Sequence, residues 1–224
     1  MESLRKSQTR YLGWHLVIGL LVFAATTLIL GEIAEDIING EPITVADAHV
    51  SMWLHTHGSP HLTAVFVFIT AFGSTVLVSC ITVVVGLYLL WRKQTYWLAA
   101  VWLSVFGGIL LNKFLKYIFH RPRPHFDDPI LALTSYSFPS GHTMAATVLY
   151  GVLAALLVTK IKHRSFRVLV IPGAMLLITL VGFSRMYLGA HYLSDVVGAI
   201  AEGLAWLSLC LTVVHVIWRQ RNST

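Results

Sequence analysis

Charge is what this chain has least of. Only 12% of its 224 residues are charged and 56% are hydrophobic, whereas roughly 25% charged is usual for a soluble domain. With a mean hydropathy of +0.73, that deficit excludes an ordinary soluble globule. Acids are the rarer sign, so the net charge is +6. Two cysteines, Cys80 and Cys210, both sit in apolar stretches. They read as small core residues, which excludes a disulfide framework and leaves the redox compartment unread. The prolines and glycines never gather into a linker, and there is no low-complexity tract or repeat. One continuous unit over 1–224 is therefore expected. A cleavable signal peptide is not expected, because Tyr11–Leu30 exceeds a signal core and no small-x-small site follows it.

What is present is a series of apolar runs, each about 20 residues or longer, the length that crosses a bilayer. They predict an all-α integral membrane bundle of six transmembrane helices near Tyr11–Leu30, Leu62–Trp91, Tyr96–Phe119, Gly141–Lys160, Val168–Arg185 and His191–Trp218. Sorting the cations by side orients it. Arg5, Lys6, Arg10, Arg92, Lys93, Lys160, Lys162, Arg164, Arg167, Arg219 and Arg221 share one side. The positive-inside rule makes that side cytoplasmic, with both termini on it. The charge surplus is thereby assigned to membrane anchoring, and no nucleic-acid partner is expected. Lys113, Lys116, Arg121, Arg123 and Arg185 fall on or toward the opposite side. The connection Gly31–His61 lies there too. It is mildly acidic, and its Val45, Val50, Met52, Trp53 and Leu54 suit a helix on the membrane surface. It reads as a plain connecting element in preference to a gate for lipid entry.

The exceptional cations cluster in three blocks: Lys116 to Pro124, Pro139-Ser140-Gly141-His142, and Ser184-Arg185 followed by His191 and Asp195. Ionisable groups at membrane depth are costly, so their grouping at span ends reads as a site. His191 and Asp195 are spaced i, i+4 and share a face at the start of the sixth span. A carboxylate there fixes the imidazole tautomer and favours the positive charge that develops when the other nitrogen attacks. Ser140 suits an N-cap, and Gly141 allows an anion close to the backbone at a helix start. His142 in that first turn is placed to protonate a leaving oxygen. Pro122 and Pro124 stiffen the loop so that Arg123 offers its planar fork to phosphate, with Lys116 as a point charge. Arg121 and Lys113 fit snorkelling toward lipid headgroups.

The full pattern is Lys-x6-Arg-Pro, Pro-Ser-Gly-His and Ser-Arg-x5-His-x3-Asp. It resembles the type 2 phosphatidic acid phosphatase superfamily, whose members include bacterial lipid phosphatases, vanadium haloperoxidases and glucose-6-phosphatase. The match runs in order from Lys116 to Asp195, and a motif-bearing core of about 96–218 is expected. The resemblance implies His191 as the nucleophile of a phosphohistidine, supported by Asp195, with His142 as general acid. It implies Lys116, Arg123, Ser140, Gly141 and Arg185 as the phosphate-binding set, and neither metal nor cofactor. A membrane-lipid phosphate is the implied substrate, in a bacterial inner membrane with the site extracytoplasmic. Bacterial relatives act on phosphatidylglycerol phosphate, phosphatidic acid, undecaprenyl diphosphate or lipid A phosphates.

Other polar residues are assigned blander roles. His120, His125, Asp127 and Asp128 lack a metal-ligand pattern and read as a flexible polar loop. Glu202, about three turns beyond His191, reads as a structural hydrogen-bonding residue. His15 and His215 are assigned to the cytoplasmic interface. The alternatives are a lipid phosphotransferase using the same chemistry, and a non-enzymatic carrier of anionic lipids. The carrier would need neither paired histidine.

Overall fold

A computed structural model describes residues 2–40, 42–131 and 133–223, with side chains from 16 to 220 inside those ranges. Arg5, Lys6, Arg10, Tyr11, His15 and Arg221 lie outside the described side chains. Among the described residues the chain forms α1 (Glu2–Asn39), α2 (Pro42–Thr56), α3 (Pro60–Ala71), α4 (Thr75–Trp91), α5 (Thr95–Trp102), α6 (Gly108–Phe119), α7 (Gly141–Lys160), α8 (Arg164–Tyr187) and α9 (Leu193–Ser223). Six stretches are long and apolar enough to cross a membrane, as the hydropathy predicts. The chain is a multi-pass, all-α integral membrane protein.

The spans differ from expectation in three places. The first extends past Leu30 to Asn39. The helix passes through Gly31, where nothing crowds the backbone, and stops only at Gly40, ahead of Pro42. The second is not one helix. It breaks between α3 and α4 at Phe72-Gly73-Ser74, where Ser74 Oγ accepts from Leu77 N at 3.3 Å and caps α4. A Cβ on Gly73 would stand 2.7 Å from the His142 carbonyl oxygen and 2.5 Å from Val181 Cγ1. The break thus lets the chain pass close beside α7 and α8. The third span carries a π-helical segment, Leu103–Gly107, between α5 and α6. Such a segment leaves carbonyls poorly paired, and Trp206 Nε1 reaches those of Leu103 and Ser104 at 3.1 Å each.

The core forms around α7. More than half of its apolar window is buried, against about a twentieth of that of α1. Met144, Ala145, Val148 and Leu149 meet Val78 of α4, Val105 and Ala199 of α9 in the central cluster. Small side chains along α7 and α9 permit this close approach, which drives helix association where lipid removes the hydrophobic incentive. Helix α2 turns Asp47, Ser51 and Leu54 inward while Val45, Met52 and Trp53 stay exposed. It packs on α1, α8 and α9.

Candidate active site

The site forms where the 120–140 loop, the start of α7 and the α8–α9 connection meet. His120 ends α6 in the left-handed conformation, φ 48°, which turns the chain inward. The Ser137 amide then donates to the Arg121 carbonyl at 2.8 Å and closes the loop. Arg123 is gripped from several sides. Its Nε donates to Ser135 O at 2.6 Å, and one terminal nitrogen to Ser135 Oγ at 2.9 Å and Tyr136 O at 3.2 Å. The other donates to Ala190 O at 2.5 Å and lies 3.2 Å from His191 Nε2. Lys116 Nζ donates to Tyr136 O at 2.7 Å and Ser137 O at 3.0 Å. Both cations are therefore folded around the same backbone segment.

Helix α9 starts at Leu193, so His191 stands just ahead of it instead of in its first turn. The connection from α8 turns at Gly189, φ +67°, a conformation that favours glycine. The predicted dyad forms nonetheless: His191 Nδ1 lies 3.3 Å from Asp195 Oδ2. That contact leaves Nε2 facing Arg123. Burial holds the His191 imidazole down to about 3, with Arg123 and Lys116 adding to the depression and Asp195 opposing it. The ring is therefore neutral near pH 7, and the nitrogen away from Asp195 keeps its lone pair. Asp195 Oδ2 also accepts from the Tyr192 amide at 2.9 Å and from the Ser137 hydroxyl.

Ser140 occupies the N-cap position of α7 but makes no side-chain cap, contrary to expectation. Its hydroxyl pairs with Thr143 Oγ1 at 2.9 Å instead. Its amide donates to Asp195 O at 3.1 Å, which ties α7 to α9. Gly141 abuts Lys116, whose Cε would lie 3.8 Å from an added Cβ. His142 is half-buried in the first turn, within the fields of Arg185, His191, Arg123 and Lys116. Arg185 is buried, donates to Thr70 Oγ1 at 3.0 Å, and has a buried Nε without a partner. Direct contacts thus link Arg123, His191, Asp195 and Ser140, Lys116 shares the Tyr136 carbonyl with Arg123 and adjoins Gly141, and His142 and Arg185 stand within electrostatic reach of Arg123. Outward of Arg123, a cavity of about 260 Å³ is bordered by His55, Phe126, Leu131 and Leu188.

Three readings need correction or completion. Arg121 is not a headgroup-seeking cation: it is 8% exposed and bridges Asp195 Oδ1 at 2.6 Å and Asp47 Oδ2 at 2.8 Å. Asp47 makes α2 more than a connector, since it also accepts from the Ser194 amide at 2.9 Å and from the Ser194 hydroxyl. Asp128, read as part of a flexible polar loop, lies 3.0 Å from His55 Nε2, and His55 stacks on Phe126 at 4.0 Å. Glu202 has the hydrogen bond expected of it: Asn112 Nδ2 donates to Oε2 at 2.8 Å. Lys113 is exposed. Sequence reading missed Asp47, Asn112, Ser137 and Ser194. The one available signal was an acid within the apolar stretch of α2.

Three cations and two imidazoles lie at or near the ends of membrane spans, one imidazole backed by a carboxylate, an arrangement suited to a phosphatase embedded in a membrane. The profile of the PAP2 superfamily matches residues 96–219. Phosphatidylglycerophosphatase B of Bacillus subtilis (strain 168) is 36% identical over 172 residues, covering 75% of this chain and 82% of the relative. A lipid A 1-phosphatase of Rhizobium etli is 31% identical over 171 residues, covering 66% of this chain and 68% of that protein. The crystal structure of the transmembrane PAP2 type phosphatidylglycerolphosphate phosphatase from Bacillus subtilis superposes with a TM-score of 0.76 at 30% identity. That superposition covers 88% of this chain and 96% of the other. The chain belongs to the PAP2 superfamily, and it is a membrane lipid phosphatase. That membership decides for the enzyme over the lipid carrier.

Proposed function

We propose that the protein removes a terminal phosphate from a glycerophospholipid phosphate, phosphatidylglycerol phosphate first among candidates, through a phosphohistidine on His191. The observation that carries this reading is the orientation of His191, with Nδ1 on Asp195 and Nε2 toward the Arg123 guanidinium. In the first step Nε2 attacks phosphorus, the P–O bond to the lipid breaks, and His142 gives its proton to the departing oxygen. Asp195 offsets the positive charge that grows on the ring. In the second step a water attacks the phosphohistidine, passes its proton to His142, and inorganic phosphate leaves with the P–N bond broken. Lys116, Arg123 and Arg185 hold the equatorial oxygens throughout, the electrostatic role that dominates phosphoryl transfer.

The Bacillus relatives' names favour phosphatidylglycerol phosphate, and the Rhizobium name offers lipid A as the next candidate. The distribution of Lys and Arg supports an extracytoplasmic site with cytoplasmic termini, and a bacterial inner membrane suits these substrates. The test measures phosphate release in detergent from phosphatidylglycerol phosphate, phosphatidic acid, undecaprenyl diphosphate and lipid A, alongside labelling from a radioactive lipid phosphate quenched in alkaline detergent, where a phosphohistidine survives. His191→Ala should lose both release and label. His142→Ala should lose release from lipids far more than from an activated aryl phosphate, whose leaving group needs no proton. Release by His191→Ala at the wild-type rate would overturn the assignment.

A further inference from the structure

Behind the His191–Asp195 dyad lies a buried charge chain that the phosphate-binding set does not include. Arg121 is clamped between Asp195 at 2.6 Å and Asp47 at 2.8 Å. All three side chains are almost fully buried, Asp195 at 0%, Asp47 at 1% and Arg121 at 8% exposure. A guanidinium this close to Asp195 would, acting alone, cancel most of the negative charge that Asp195 presents to His191. Asp47 supplies the second carboxylate. Two carboxylates and one guanidinium leave one net negative charge behind the imidazole, and at low local dielectric such a charge acts strongly.

We propose that Asp47 is a positioning residue for phosphoryl transfer: by balancing Arg121 it leaves Asp195 free to stabilise the cationic ring that forms on His191. The inference rests on His191 being the nucleophile. Ser194 supports the arrangement, because its amide and hydroxyl both donate to Asp47 and its hydroxyl also accepts from Arg121 at 2.8 Å. The face of Tyr192 covers the guanidinium at 4.4 Å and screens it from water. Helix α2 thereby contributes to the reaction through Arg121, which lies 74 residues from Asp47 in sequence.

The experiment compares kcat, KM and the single-turnover rate of labelled phosphoenzyme formation in the full-length protein in detergent. Asp47→Asn keeps the shape and removes the charge. It should lower kcat and the labelling rate by about 30- to 100-fold while KM moves less than about two-fold. Combining Asp47→Asn with Arg121→Met restores one net negative charge. The double variant should turn over at least about ten-fold faster than Asp47→Asn alone. A role limited to packing makes the double variant worse. If Asp47→Asn does not accumulate in folded form, the length-matched pair Asp47→Glu and Asp47→Gln carries the same comparison, with Glu expected faster by about ten-fold or more. Wild-type kcat in Asp47→Asn, or equal rates for Glu and Gln, overturns the inference. Should His191→Ala also retain turnover, the nucleophile assignment has failed. Should His191→Ala be inactive while Asp47→Asn is unaffected, only the role of Asp47 has failed.

Discussion

Arg123→Lys keeps the charge and removes the fork, so it isolates what geometry contributes. Arg123 makes contacts at 2.5, 2.6, 2.9, 3.2 and 3.2 Å through three nitrogens that face Ser135, Tyr136, Ala190 and His191. A single ammonium can keep the carbonyls of Ser135 and Tyr136 but cannot also reach across to Ala190 and His191. Once phosphate displaces these tethers, the same difference in reach applies to its oxygens, where a point-charge ammonium gives up to two fewer charge-assisted hydrogen bonds than the fork, at ~1.5–3 kcal/mol each. Arg123 is only half-buried, so water returns part of that loss, leaving about 2–4 kcal/mol in the transition state. The expected consequence is a kcat/KM lower by about 30- to 1,000-fold, carried mainly by kcat. Initial rates of phosphate release from phosphatidylglycerol phosphate in mixed micelles measure it directly. A variant within about three-fold of wild type would mean that charge alone suffices and that the bidentate argument is wrong.

Gly73→Ala should be destabilised by about 1–3 kcal/mol, because its Cβ meets the His142 carbonyl at 2.7 Å and Val181 at 2.5 Å. It should also lose turnover, since relief of that clash moves the His142 backbone. Unchanged melting and rate would show that the α3–α4 break tolerates a side chain. The buried neutral His191 predicts a pH effect on stability as well. The unfolded imidazole takes up a proton near 6.5 and the folded one only at about 3. Unfolding therefore absorbs a proton within this window, and stability falls as pH drops from 6.5 toward 3, by up to ~4 kcal/mol. His191→Gln should flatten that slope in detergent melting curves taken at pH 7 and 4.5. Identical slopes would contradict the burial argument.

The span count, the three blocks and the dyad were legible because each is local: hydropathy over a window, a short motif, an i, i+4 spacing. The break at Gly73 was not, because averaging over a long apolar run hides a single turn, although Ser74 stood there as a cap. Arg121 was misread for a different reason. Its direction depends on His120 adopting a left-handed backbone, which a histidine does not advertise. The partner that holds it, Asp47, lies in a helix joined to the site only through tertiary packing. Asn112 and Glu202 likewise meet across 90 residues. Pairings of that kind leave no trace in composition or periodicity.

Lys116, Arg123 and Arg185 form no ion pair among the described residues. They rest on carbonyls, hydroxyls and a ring nitrogen, while Arg121 absorbs the nearest carboxylate. An incoming dianion thus displaces dipoles and has no opposite charge to evict. Capture is a swap of weak tethers for strong ones, and the same tethers stand ready to take the cations back when phosphate departs.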